Sequence, residues 1–333
     1  MSTNLTRRLN LLIFLVLGLG LPIIAAQEVA PKRPPTFSSF IWQPKFITMF
    51  IIGLIVLVLL KSNRMKTTLK VPILLLSTLL YGLIGNLGLK SLASFAMHPS
   101  PICAATKPML FGFRIPFIVM LSVIFFLTLV GPKLFCGWIC PVGAVQELAA
   151  VSADKLKIPR KKINFSISYS VRLGIFIFFL FTGATGLLKL TIEGKTFPFN
   201  IYDYINAFHG FEIYFQKALF DNVIHFLPFL LTLVLAFKLY RPFCHYICPI
   251  GFIANSLEQM SLFRISLKRP SCNDCQLCVK KSPCQAIPDI LKETNLRPDC
   301  YSCDVCVKSC PTKALDYGTK KTIGDAKASG FNS

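Results

Sequence analysis

The sequence predicts an α-helical integral membrane protein of five or six transmembrane helices, with an internal two-helix repeat and a C-terminal α+β double-cluster ferredoxin-like domain. Three observations carry that expectation. The 333 residues are 53% hydrophobic, with a mean hydropathy of +0.60, and only 15% are charged, against about 25% in soluble domains. Twelve of the 13 cysteines fall into motif clusters, and one of those motifs recurs 108 residues downstream. This composition excludes an ordinary soluble globule and a disordered chain.

Six stretches are apolar enough to cross a bilayer, which takes roughly 17–25 residues with flanks: Leu9–Ala26, Phe46–Leu60, Val71–Leu89, Ile115–Gly131, Leu173–Leu188 and Val223–Leu239. None contains an acidic residue. The first follows Arg7 and Arg8 and ends at Ile24-Ala25-Ala26, so it reads either as a secretory signal or as a first span. Residues 1–26 are taken as that segment, 27–263 as a membrane domain, 264–318 as the ferredoxin-like domain and 319–333 as a polar tail.

The net charge of +21 would suggest nucleic acid in a soluble protein. Here the cations are read as topology. With residues 1–8, 61–70, 132–172 and 238–333 inside, the inner segments hold 27 of the 36 basic residues, which places the C-terminal domain in the cytoplasm of a cell-membrane protein. The basic stretch Lys155–Lys162 is expected to touch anionic lipid, and nucleic acid is not expected as a partner.

The C-terminal cysteines form two runs. Cys272-x2-Cys275-x2-Cys278-x5-Cys284 precedes Cys300-x2-Cys303-x2-Cys306-x3-Cys310-Pro311, and the second run has the bacterial ferredoxin spacing. Crossed ligation then predicts one [4Fe–4S] cluster on Cys272, Cys275, Cys278 and Cys310, and another on Cys300, Cys303, Cys306 and Cys284. The first run departs from the pattern, with x5 for x3 and Gln285 in place of proline. Paired zinc sites use two C-x2-C pairs at longer separation, and disulfides do not suit a reducing compartment.

The duplicated motif is Phe135-Cys136-Gly137-Trp138-Ile139-Cys140-Pro141 and Phe243-Cys244-His245-Tyr246-Ile247-Cys248-Pro249. Each copy follows an apolar segment at its expected inner end. Cysteines at i and i+4 are expected on one helical face, so Cys136, Cys140, Cys244 and Cys248 would offer four thiolates at the inner membrane surface. A further cluster or other thiolate-bound redox centre, a redox-active dithiol pair, and structural zinc or packing thiols compete for that quartet.

With these motifs the chain, over about residues 70–315, resembles the NapH-type membrane polyferredoxins, quinol dehydrogenase membrane components related to the NosR and CcoG types. The resemblance implies membrane electron transfer between the quinone pool and an extracytoplasmic redox system. Quinone would be a further cofactor, and ferredoxin-like, cytochrome or periplasmic subunits the partners. Nothing resembles the flavin-binding domain of the NosR type. The expected function is one-electron relay, with supply of electrons for metalloenzyme maturation, or redox sensing, as alternatives.

Four histidines and one cysteine remain. His98 and Cys103 share a proline-rich segment read as an external loop, and two residues make no metal site. His209 reads as an exposed loop residue and His225 as a packing residue of the last span. His245, inside a motif, is a candidate for tuning its centre through a hydrogen bond.

Overall fold

The computed structural model describes residues 37–86, 92–185, 189–192, 195–198, 200–213, 223–294 and 298–319. Helix α1, Pro44–Lys61, opens with proline in its first turn, where the missing N–H costs no helical hydrogen bond. Helix α2, Thr67–Ser77, continues through a π-helical stretch, Thr78–Leu83, and a 3-10 turn, Ile84–Asn86. Then come α3 (Pro101–Phe111), α4 (Ile115–Val130), α5 (Pro141–Lys155), α6 (Phe165–Thr185), α7 (Val223–Ala236) and α8 (Pro249–Leu257).

Three helical stretches are long and apolar enough to span a membrane: Pro44–Lys61, Thr67–Asn86 and Phe165–Gly183. Ile115–Val130 and Phe226–Ala236 are shorter apolar helices. The expectation of five or six spans thus meets three full-length candidates and two shorter helices among the described residues, while Leu9–Ala26 lies outside them. Leu54 and Val58 on α1, Ile177 and Phe181 on α6, and Leu227, Leu231 and Val234 on α7 are exposed. Their three- and four-residue spacing makes apolar outer stripes suited to lipid.

The segment read as an external loop is partly helical. Ser100 Oγ accepts the Cys103 N–H at 3.3 Å and Pro101 fills the first turn of α3, a serine cap followed by proline. Strands β1 (Lys189–Ile192) and β2 (Lys195–Pro198) pair antiparallel. In the tail, β3 (Phe263–Leu267) pairs antiparallel with β4 (Leu315–Thr319), Ile265 opposite Tyr317. Between them lie short helices Leu277–Lys281, Ala286–Leu291 and Val305–Ser309. One core runs through the molecule: Val56 of α1, Trp138 of the first motif, and Tyr301 and Tyr317 of the tail belong to the same buried cluster.

Candidate iron–sulfur sites

Each Cys-x3-Cys-Pro motif breaks the chain between two helices. Cys136 sits in a short π-helical turn, Phe135–Ile139, and Cys244 in a five-residue helix, Pro242–Tyr246. Cys140 and Cys248 are both extended (φ −61°, ψ 121° and φ −65°, ψ 119°) and cap α5 and α8. The two cysteines of a pair therefore do not share a helical face, contrary to the i, i+4 expectation. The following proline disfavours the helical region for the residue before it. The glycine two residues beyond each proline then tucks beneath the first cysteine: a Cβ on Gly143 would lie 2.2 Å from the Cys136 carbonyl oxygen, and one on Gly251 2.6 Å from that of Cys244.

The first motif packs beside the middle of α1. A Cβ on Gly53, the midpoint of α1, would lie 3.7 Å from Ile139 and 4.0 Å from Leu134. Gly53 precedes Lys61 by eight residues, about 12 Å along a helix axis. Helix α4 is short and hands over to the motif before α1 ends.

Cys136, Cys140, Cys244 and Cys248 line one cavity, with an empty volume of about 350 Å³. Its other walls are apolar or aromatic: Phe135, Val142, Phe243, Ile250, Pro101 and Phe208 among them, plus Tyr301 from the tail. Pro101 and Phe208 come from segments read as external. Gln146, from the first copy, donates to Cys244 Sγ at 3.3 Å and accepts the Phe243 N–H at 3.0 Å. Burial pushes the Cys248 thiol up to about 12 and the Cys140 thiol up as well. A metal bound there would displace the protons of such thiols and hold them as thiolates.

Around the quartet runs a buried ionic network that the sequence did not announce. Lys70 of α2 and Arg241 both pair with Glu147 of α5, the latter at 2.9 Å. Arg241 also donates to the carbonyls of Cys136 (2.8 Å) and Gly137 (2.9 Å). Arg172 of α6 donates to the Gly251 carbonyl at 3.0 Å and to Asp299 at 2.8 and 3.0 Å, and Lys133 reaches the same carboxylate. These cations hold Glu147 and Asp299 well below the usual carboxylate range. Glu258, 3.5 Å from Lys133, is pushed by burial up to about 8. In the sequence, Lys70, Lys133, Arg172 and Arg241 read as topology signals. In the fold they are buried partners.

Asp299 belongs to the tail, and the three residues after it continue the dock. Its N–H donates to Glu258 Oε1 at 3.2 Å, and Ser302 Oγ donates to the Pro132 carbonyl at 2.8 Å. A Cβ on Gly137 would lie 2.5 Å from the Tyr301 carbonyl oxygen. At the matching position of the second copy, the His245 ring packs 5.4 Å from the Tyr301 ring. The two copies thus differ at the position following the first cysteine, where the tail sits. His245 Nδ1 lies 3.0 Å from the Arg241 carbonyl, and burial lowers its pKa to about 4. It faces the tail, and its hydrogen bond goes to backbone.

In the tail, Cys272, Cys275, Cys278 and Cys310 line a second cavity of about 330 Å³ together with Asn273, Asp274, Gln276 and Thr312. Cys284 comes together with the other run. Burial, then the neighbouring Cys303, Cys284 and Cys300, push the Cys306 thiol well above its ordinary range. Among the described residues no three His, Cys, Asp or Glu side chains close on a single bare ion. In the two cavities the thiols surround a space, a donor set chemically suited to an iron–sulfur cluster.

Of the remaining residues, His98 is exposed and its carbonyl accepts Lys45 Nζ at 2.6 Å, while Cys103 is buried at the start of α3. His209 is half-buried and begins a short helix, His209–Ile213. The side chain of His225 lies outside the described residues. In the basic stretch, Lys162 donates to the Val279 carbonyl of the tail and Arg160 pairs with Asp154.

The 4Fe-4S binding domain family matches residues 113–164 and 223–270, the two segments that carry the duplicated motif. Three similar curated proteins are the regulatory protein NosR of Stutzerimonas stutzeri (30% identical, 48% of this chain and 21% of that protein), protein NirI of Paracoccus denitrificans (28%, 56% and 27%) and the ferredoxin-type protein NapH of Haemophilus influenzae (27%, 48% and 51%). The matches to NosR and NirI span about a quarter of those proteins. No solved structure matches. Membrane-length helices and a duplicated motif matched by an iron–sulfur domain define the class, a membrane iron–sulfur protein. Over these segments the chain is similar to the NapH/NosR-type membrane ferredoxins.

Proposed function

We propose that the chain relays single electrons between cytoplasmic or quinone-pool donors and a redox partner across the membrane, using two [4Fe–4S] clusters in the tail and a third thiolate-bound centre on Cys136, Cys140, Cys244 and Cys248. One cluster is assigned to Cys272, Cys275, Cys278 and Cys310, and the other to Cys300, Cys303, Cys306 and Cys284. The observation that carries this reading is the placing of Tyr301: it lines the quartet cavity and is joined by one peptide bond to Cys300. Iron–sulfur groups supply one-electron transfer without bond making or breaking in the protein. The chain's own residues supply position. Asp299 holds the tail against both motif copies, Phe135, Phe243 and Val142 keep water from the quartet, and Pro101 and Phe208 close the side facing away from the tail.

A tail in the cytoplasm would leave roughly 30 Å of hydrocarbon to cross. The quartet, level with the middle of α1, divides that distance. Electron supply for maturation of another metalloenzyme would use the same sites and differ in partner. The test is anaerobic purification with iron and acid-labile sulfide counting, followed by EPR during quinol titration. The expected result is three centres reduced in sequence, whereas zinc in place of iron and sulfide would overturn the reading.

A further inference from the structure

The ionic network around the quartet is unbalanced. Lys70, Lys133, Arg172 and Arg241 are buried, and three buried carboxylates pair with them: Glu147, Asp299 and Glu258, the last 3.5 Å from Lys133. The cations outnumber the carboxylates by at least one in a region walled by Phe135, Phe243 and Trp138. Buried charge without a counter-charge is costly. The surplus lies against the quartet, because Arg241 donates to the Cys136 carbonyl and Arg172 contacts the carbonyls of Cys244 and Gly251. Two disulfides or four neutral thiols would place no negative charge beside Arg241 and Arg172 at the quartet. Four thiolates around a metal group of charge 2+ carry a net charge of 2−, which offsets the surplus.

We propose that these four cations form a compensating collar for a dianionic metal–thiolate group on the quartet and set its reduction potential, an inference that rests on the quartet holding such a group. One-electron reduction, with dithionite as donor in the titration, takes the group's charge from 2− to 3−. Each collar cation favours the reduced form and each carboxylate opposes it. Arg241 and Glu147 are therefore positioning residues with opposite signs, although they share one ion pair.

That shared pair makes the test. Arg241→Gln and Glu147→Gln break the same bridge from its two ends, so a purely structural role moves both variants the same way. Potentials of the intact protein would be read by EPR-monitored titration with dithionite. Arg241→Gln should lower the reduced-to-oxidised ratio of the third centre at least tenfold at fixed potential, about 59 mV downward for one electron. Glu147→Gln should raise it, and Arg241→Lys should stay near wild type. Shifts of one sign, or none, with iron and sulfide retained would overturn the collar alone. A wild-type protein with iron and sulfide for only two clusters would overturn the underlying reading as well. Should Arg241→Gln lose the centre, the Glu147→Gln shift decides: upward supports the collar, and zero or downward overturns it.

Discussion

Both thiol cavities offer four cysteine donors, yet their surroundings differ in almost every respect. The quartet is buried throughout, and its cavity walls beyond the thiols are apolar or aromatic. At the Cys272 cavity, Cys275 is exposed, Cys272 and Cys310 are half-exposed, and Asn273, Asp274 and Gln276 form the rim. Its nearby ion pair, Arg269 with Asp274 at 2.8 Å, stands in solvent. A site of the second kind can meet a soluble partner at its edge, while one of the first kind exchanges electrons only through its protein walls. Identical ligands placed in different dielectric and charge environments serve as different stations, because potential follows burial and nearby charge as much as ligand type.

The sharpest way to break this contrast is at the quartet itself. Cys136→Ala and Cys244→Ala are each expected to abolish quinol-linked electron transfer. The double variant should be no worse than either single, as for groups acting as one unit. The tail clusters should keep their EPR signals in all three variants. Near-normal turnover in the double variant would reduce the duplicated motif to a structural feature.

Next in size is the tail dock. Asp299→Ala leaves Lys133 and Arg172 buried without their carboxylate, a loss of about 3–5 kcal/mol for a broken buried pair. Denaturant unfolding in detergent should show the loss, together with faster proteolytic release of the tail.

A smaller effect follows from Glu258, whose folded pKa of about 8 lies above the ordinary 4.5. Between those values the folded chain holds a proton that the unfolded chain releases, so stability falls as pH rises. His245, lowered from 6.5 to about 4, works in the opposite sense below pH 6.5, which leaves pH 6.5–8 as the clean window. There the slope should approach at most about 1.4 kcal/mol per pH unit, and Glu258→Gln should remove Glu258's share of it. An unchanged slope in that variant would assign the dependence to another group.

The smallest effect is at the exposed site. Arg269→Ala should leave stability unchanged within error, since a solvated pair is screened. A clear loss on thermal unfolding would show that the Cys272 cavity depends on its surface charges after all.

What the sequence by itself determined is local. Apolar runs, cysteine spacing and the duplicated Cys-x3-Cys-Pro are short-range patterns, and they announced the helices now seen as α1, α2, α4, α6 and α7 as well as the candidate thiols. The proline rule, applied to Cys140 and Cys248, would have corrected the helical-face expectation too, since it acts between adjacent residues. Tertiary structure alone decided that the first motif packs beside the middle of α1 and that both copies close around one cavity. It also turned Lys70, Lys133, Arg172 and Arg241 from topology signals into a buried network. The reason is physical. A lysine or arginine at the end of an apolar run looks the same whether it faces lipid headgroups or a buried carboxylate. The carboxylate that claims Arg172 and Lys133 lies 127 and 166 residues further along the chain, a distance that only folding closes.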